Sequence, residues 1–406
     1  MTRLALPLNT LPAASLRPRG IDRWMARRLK AFLAPAGVQV QLWDGTSLPL
    51  AGTPVGVLDV GDRGALLGLI ASPEVSFGDH YMSGRVAVRG DLGRVVEAMS
   101  TLSRPAPPSW RERLALRLTP ANGLLSARRN VHHHYDLGND FYALWLDPQM
   151  VYTCAWYPTP ETSLADAQIA KLDLICRKLA LKPGERVVEV GCGWGALALH
   201  MAREYGVTVR AYNVSTEQLQ FARARAAAEG LDRLVTFVED DYRSVTGRYD
   251  AFVSIGMLEH VGLRQYGALS AVMQRALDRG GRGLLHFIGR DHPRRLNAWV
   301  RRRIFPGAYP PTLAEVTARV LEPANLSVLH VENLRPHYAR TLADWRARFE
   351  GAERTIHAEF GEAFYRAWRL YLAGSEAAFR TGWMQLFQVL FAPAGGRAGG
   401  PRDAAL

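Results

Sequence analysis

The chain predicts an α/β fold: a parallel sheet with helices on both faces, preceded by a small α+β module. Three observations predict it. From about residue 186 onward, short β-branched runs alternate with helix-like runs, as in a parallel sheet joined by helical crossovers. The turn Glu189-Val190-Gly191-Cys192-Gly193-Trp194-Gly195 lies between one such strand and one such helix. Upstream, Pro105, Pro107 and Pro108 mark a boundary between the two regions.

Taken in order, residues 1–20 read as a loose arm. Ile21 to Leu33 read as a basic amphipathic helix, with Ile21, Trp24, Met25, Leu29, Phe32 and Leu33 near one face and Arg23, Arg27, Arg28 and Lys30 largely elsewhere. Such a helix lies in a membrane interface or packs on its own module's core. Short strands are expected at Val38–Leu42, Val55–Val60, Gly64–Ile70 and from Val86, in a module that ends near residue 103. Residues 109–128 are basic and partly helical. Strands of the second domain are expected at Arg186–Val190, Val207–Tyr212, Val235–Val238, Ala251–Ile255, Gly283–Ile288 and Leu326–Glu332. The C-terminal part reads as helical to about Phe391, and the Gly-rich end as disordered. The expected divisions are therefore 1–104, a linker at 105–128, a main domain at 129–391 and a tail at 392–406. There are no internal repeats.

Composition narrows the class. A length of 406 residues suggests about two domains, and 48% hydrophobic residues suffice for real cores. Cys154, Cys176 and Cys192 are too few for a disulfide framework and fit no zinc spacing, which points to a reducing, cytosolic compartment. The net charge of +12 admits anionic lipid, nucleic acid or acidic substrates. No apolar run approaches a membrane span. The Leu-rich start is broken by Pro7, Asn9 and Pro12, unlike a secretory signal. Lipid, if met, is met from the surface.

The glycine turn carries the chemistry. Glycines let the backbone turn sharply and approach a ligand closely. The E-x-G-x-G-x-G spacing departs from the dinucleotide pattern, and Glu189 is unhelpful to a pyrophosphate. It suits S-adenosylmethionine, which carries a sulfonium and an ammonium but no phosphate. Ligands of open α/β sheets sit at the carboxyl ends of strands. Asn213 and Gln218 stand at such an end and can reach the ribose or the amino acid part, although Ser215 with Gln218 also reads as a capping box. After the next strand, Asp241 can accept from an adenine amino group with Tyr242 stacking. Glu259-His260 follows the fourth strand and is a candidate for acid–base work. His286 ends the next strand on the same sheet edge. Three adjacent histidines, His132 to His134, cannot converge on one ion, so no metal is expected.

Six motifs occur in order: His134-Tyr135-Asp136-Leu137-Gly138-Asn139-Asp140-Phe141-Tyr142, Tyr152-Thr153-Cys154-Ala155, Glu189 to Gly195, Gly256-Met257-Leu258-Glu259-His260-Val261-Gly262, Leu285-His286-Phe287-Ile288-Gly289 and Ile304-Phe305-Pro306-Gly307. Together they resemble the cyclopropane-fatty-acyl-phospholipid synthases and their mycolic-acid relatives, over about residues 130–391. The resemblance implies a Rossmann-like class I methyltransferase sheet with helical lipid-site insertions. It implies S-adenosylmethionine and a bound bicarbonate base. Cys154, Glu259, His286, Ile288 and Tyr338 match the positions that hold the bicarbonate. Tyr152, Thr153, Gly191, Gly193, Asn213, Val214, Gln218, Tyr242 and Arg243 match cofactor-contacting positions. The chain departs from the family pattern at Thr153, where Ser is frequent, at Asn213, where Thr is usual, and at Ser375, where some relatives carry a cysteine.

In the implied reaction the alkene attacks the sulfonium methyl, and loss of a proton from the new methyl closes a three-membered ring. The site must align the reactants, exclude water and face the cation with aromatic rings. Phe141, Tyr142, Trp156, Trp299 and Phe305 are candidates for those rings, with core packing as the alternative for each. Arg290, Arg294, Arg295, Arg301, Arg302 and Arg303 cluster around Trp299 and Phe305, which suits anionic headgroups. The expected partner is a phospholipid bilayer at the inner face of the membrane, and not nucleic acid; a homodimer is left open. Two rivals stand beside this reading: methyl transfer to the same alkene without ring closure, and a lipid-binding relative without chemistry.

Overall fold

The computed structural model describes residues 17–103, 107–109 and 137–395. Residues 1–16 of the expected arm, most of the 109–128 stretch, the three histidines and the end beyond residue 395 lie outside the described residues, while the helix expected from Ile21 already begins at Gly20.

The N-terminal module is a four-stranded sheet in the order β2-β1-β3-β4, with β1 Val38–Leu42, β2 Ser47–Leu48, β3 Gly56–Val60 and β4 Val86–Arg89. Strands β1 and β3 alternate buried and half-buried residues, as strands with one covered face do. The expected strand at Gly64–Ile70 is instead a helix, Arg63–Ala71. Asp62 caps it by accepting from Ala65 N at 2.9 Å. The run lacks a period of two, and Ala65, Leu66 and Leu69 meet the core together. The amphipathic helix forms as Gly20–Leu33 and serves two surfaces. Met25, Leu29 and Leu33 are buried, whereas Ile21, Trp24 and Phe32 are 56%, 47% and 59% exposed.

The main domain holds a seven-stranded sheet in the order β10-β11-β9-β8-β5-β6-β7. Its strands are β5 Arg186–Val190, β6 Thr208–Asn213, β7 Val235–Glu239, β8 Tyr249–Ile255, β9 Leu277–Gly289, β10 Leu326–Asn333 and β11 Gln385–Pro393. The pairs from β7 to β9 are parallel. Strand order reverses between β5 and β8, which opens a crevice at the carboxyl end of β5.

Strand β11 corrects the expectation of helix to about Phe391. It runs antiparallel between β9 and β10, and it continues through Pro393, into the stretch expected as tail. Both its edges are paired and nearly every residue is buried, so its sequence is apolar without alternation. Such a run does not announce its own secondary structure.

The module and the sheet domain are bonded to each other. Glu74 Oε1 accepts from Ala298 N at 2.6 Å, Asp79 pairs with Arg303 at 3.0 Å, and Trp383 Nε1 donates to Ser100 O at 3.0 Å. Gly78 lies flat against Trp299, where a Cβ would come within 2.5 Å of the ring.

Candidate active site

Two cavities meet under the carboxyl ends of β5 and β8. The smaller, about 180 Å³, is lined by every residue expected to contact the cofactor: Tyr152, Thr153, Glu189, Gly191, Gly193, Asn213, Val214, Gln218, Asp241, Tyr242 and Arg243. The larger, about 940 Å³, is lined by Cys154, Glu259, His286, Ile288 and Tyr338. Tyr152, Thr153, Gly256 and His260 line both.

The small cavity is shaped by backbone. Gly191 has φ +84, a left-handed conformation, and a Cβ there would lie 2.9 Å from the Met257 side chain. Asn213 Nδ2 donates to Gly193 O at 3.2 Å and to Gln218 Oε1 at 2.9 Å, while its Oδ1 accepts from Val214 N at 2.8 Å. One amide thus fixes the glycine turn and the next loop. Ser215 caps the following helix by accepting from Gln218 N, but the Gln218 side chain turns to Asn213, so the reciprocal half of the capping box is replaced. Asp241 accepts from Arg243 through both carboxylate oxygens. Burial pushes the Glu189 carboxyl up to about 8, with the nearby Lys171 pulling down.

Lys171 and Gln168 were not singled out in the sequence. Both lie on the helix Leu164–Lys178, buried among Leu164, Leu172 and Ile175. Lys171 Nζ donates to Thr153 Oγ1 at 3.0 Å, and Gln168 Nε2 donates to Thr153 O at 2.8 Å. They pin the segment that carries Tyr152, Thr153 and Cys154. A charged residue at helical spacing among apolar neighbours was the available signal. The segment is held from its other side by Thr341, which accepts from Ala155 N at 3.0 Å and donates to His337 O at 2.8 Å. This explains Thr341 within Tyr338-Ala339-Arg340-Thr341-Leu342: it ties the helix that bears Tyr338 to Cys154.

In the large cavity, Glu259 Oε1 accepts a very short bond from Ile288 N. Glu259 Oε2 and His286 Nε2 are buried and have no partner among the described residues. Burial raises the Glu259 carboxyl to about 7. Burial, with Lys171 and Lys178 nearby, holds His286 well below its ordinary value, so the ring is neutral. Burial also pushes the Cys154 thiol up, and Sγ donates to Ala155 O at 3.1 Å. Cys154 is therefore a neutral wall, not a thiolate.

Of the five aromatic candidates, Trp299 and Phe305 line the large cavity. Phe141 and Tyr142 are core residues; Phe141 packs edge-on against Trp368 with centroids 4.9 Å apart. Trp156 packs at the edge of the same core and lines neither cavity. The arginine cluster is not a uniformly solvated face. Arg290 is buried, with burial pulling it down to about 10. Arg294 and Arg301 line the cavity, and Arg294 lies over the Trp383 ring at 5.4 Å.

Comparison with known proteins agrees with this geometry. Residues 124–389 match the family described as mycolic acid cyclopropane synthetase. A probable fatty acid methyltransferase of Pseudomonas putida is 36% identical over 87% of this chain and 91% of its own length. The cyclopropane-fatty-acyl-phospholipid synthase of Escherichia coli is 41% identical over 64% of this chain and 66% of its own. The crystal structure of mycolic acid cyclopropane synthase CmaA1 complexed with SAH and CTAB superposes with a TM-score of 0.62, at 32% identity, over 65% of this chain and 97% of its own. The sheet, with β11 antiparallel to both its neighbours, is a class I methyltransferase fold. The chain belongs to the mycolic acid cyclopropane synthetase family.

Proposed function

We propose that this protein uses S-adenosylmethionine to convert the double bond of unsaturated acyl chains in membrane phospholipids into a cyclopropane ring. One observation carries the proposal: a polar crevice at the sheet's switch point opens, at Tyr152-Thr153, into a large apolar cavity whose wall holds unpartnered buried polar atoms, Glu259 Oε2 and His286 Nε2 among them. The small cavity suits the cofactor, with Gly191 and Gly193 giving close backbone approach and Asn213, Gln218 and Glu189 the polar contacts. The large cavity suits an acyl chain. It excludes water around Trp299 and Phe305, whose faces tolerate developing positive charge.

The residues present fit a bicarbonate. Two unpartnered buried polar atoms, Glu259 Oε2 and His286 Nε2, call for a small polar guest. An anion beside an ionised Glu259 is repelled, but burial favours the protonated carboxyl, which donates. His286 contributes from a neutral ring. Cys154, Ile288 and Tyr338 complete the enclosure. Bound there, bicarbonate supplies the base that removes the proton.

The lipid reaches the cavity from a bilayer, with the protein peripheral to the inner face of the cytoplasmic membrane. Support comes from the cavity's extent, since Arg28, Phe32 and Ile70 of the N-terminal module also line it. Beside them Trp24 is exposed, with Arg28 stacked over its ring at 5.0 Å, a combination suited to an anionic interface. No helix among the described residues is long and apolar enough to cross a membrane.

A second reading, methyl transfer without ring closure, is favoured by the Pseudomonas putida relative, a probable fatty acid methyltransferase. The test is incubation with methyl-labelled cofactor and vesicles of mixed unsaturated phospholipids, followed by acyl-chain analysis. Upfield ring-methylene signals in proton NMR mark the cyclopropane, and surviving unsaturation or an added methyl marks the branch. If no label enters acyl chains, both readings fall.

A further inference from the structure

Strand register brings three polar side chains into one row behind the large cavity. His286 on β9 pairs directly with Gln388 on β11, and Gln388 pairs directly with Glu332 on β10. Directly paired residues share one face of a sheet. Lys178, the last residue of the Leu164–Lys178 helix, reaches the same row. Its Nζ donates to Gln388 Oε1 at 2.7 Å and forms a very short ion pair with Glu332. Gln388 Nε2 lies 3.0 Å from His286 Nδ1. His286, Gln388 and Lys178 are all buried.

Each link in this row has one permitted polarity. An ammonium offers donors only, so the Gln388 amide must turn its oxygen toward Lys178. Its NH₂ then faces His286. An NH₂ also offers donors only, so His286 Nδ1 must be the unprotonated, accepting nitrogen. The neutral ring carries a single proton, which sits on Nε2. That atom is the ring nitrogen that is buried at the cavity without a partner among the described residues. Glu332 preserves the polarity, because its carboxylate opposes the tendency of burial to strip Lys178 of its proton.

We infer that Gln388, oriented by Lys178, is a positioning residue that locks His286 in the Nε2–H tautomer, so that the ring presents a donor rather than a lone pair to an anion. The consequence for catalysis rests on the anion reading of the cavity; the tautomer itself does not. The arrangement also explains why an amide suits position 388. A carboxylate there would accept from both Lys178 and His286, draw the ring proton to Nδ1 and leave a lone pair facing the cavity. Gln388→Glu therefore inverts the tautomer with almost no change of shape.

The experiment is long-range ¹H–¹⁵N NMR on the full chain labelled with ¹⁵N-histidine, with His286 assigned by its loss in His286→Gln. In the wild type, Nδ1 is expected in the unprotonated range and Nε2 in the protonated range. In Gln388→Glu the two exchange; in Gln388→Met, which leaves Nδ1 unbound, the signals move toward a mixture. Affinity for S-adenosylhomocysteine is expected to stay within about twofold in both variants, while kcat on dioleoyl-phosphatidylglycerol vesicles falls ~100-fold in Gln388→Glu. A protonated Nδ1 in the wild type overturns the inference with no variant needed, as does a Gln388→Glu spectrum that matches the wild type. An inverted tautomer with unchanged kcat upholds the positioning and instead sinks His286 as an anion donor.

Discussion

The two cavities that meet at Thr153 are built by opposite means. The small one is assembled at successive strand ends of the parallel half of the sheet, by loops that each follow their strand directly. Its glycine turn gives close backbone approach, and the Asn213 amide braces two of the loops. The large one is assembled from segments far apart in the chain: the N-terminal module, the Tyr152–Cys154 segment, the ends of β8 and β9, and the helix bearing Tyr338. Its polar atoms are buried, and several lack partners. The first is a rigid cradle that any member of the fold class can build. The second gathers from distant segments buried polar atoms, such as Glu259 Oε2 and His286 Nε2, that have no partner among the described residues, an arrangement expected where chemistry occurs.

Gly191→Val is the sharpest way to break the first cavity alone. The left-handed φ of Gly191 costs a β-branched residue about 1–3 kcal/mol, and the new Cβ meets Met257 at 2.9 Å. Calorimetric affinity for S-adenosylhomocysteine is expected to fall ~1,000-fold when the strain and the lost approach combine. Binding near the wild-type level would mean that the glycine turn does not shape the cofactor crevice.

Glu259→Gln acts on the large cavity alone, since Glu259 lines that cavity and not the small one. The carboxyl is raised from 4.5 to about 7 in the folded protein. The folded state therefore keeps a proton that the unfolded chain releases. The stability this gives is present in full below about pH 4.5 and is lost as pH rises through 7. Glutamine has no such dependence. The variant is expected to gain about 3 kcal/mol over wild type in urea unfolding between pH 4.5 and pH 8. A gain that does not change with pH would remove the raised carboxyl. The same variant should lose ~100-fold in turnover on vesicles while S-adenosylhomocysteine binds as before. On the proposal that the protonated carboxyl is the donor, wild-type turnover should carry an alkaline limb near pH 7 that Glu259→Gln lacks.

This contrast also decides what could be read from the chain. Most of the small cavity is written locally: Glu189 to Gly195, Asn213 to Gln218 and Asp241 to Arg243 each span one loop, whereas Tyr152 and Thr153 come only from the resemblance; every residue expected there lines the crevice. The five residues expected around the bicarbonate line one cavity; Glu259 and His286 could be read from their strand ends, but Cys154, Ile288 and Tyr338 were found by resemblance, since nothing in local spacing brings Cys154 to Tyr338. What braces them was illegible. Gln388 sits in an apolar run that reads as helix until β9 and β10 are seen to flank it. Gly64–Ile70 failed the same way, as a short run with no decisive period. Phe141 and Tyr142 are candidates for which core packing is the safer reading, and both lie in the core; aromatic composition alone does not say which way a ring faces.

The mildest test acts where the module meets the sheet domain. Gly78 belongs to the helix Pro73–Met82, and its missing side chain lets that helix lie on Trp299. Both residues line the large cavity and neither lines the small one. A Leu at 78 cannot be absorbed by rotating a rigid indole that is itself buried. The helix must lift, drawing on the bonds from Glu74 to Ala298 and from Asp79 to Arg303. A displacement of that kind misplaces a long substrate without touching the cofactor crevice. Turnover on phospholipid vesicles is expected to fall ~10-fold with S-adenosylhomocysteine affinity within about twofold. Equal losses in both would show that the module supports the whole domain rather than the acyl path, and the division between a local cradle and an assembled cavity would have to be withdrawn.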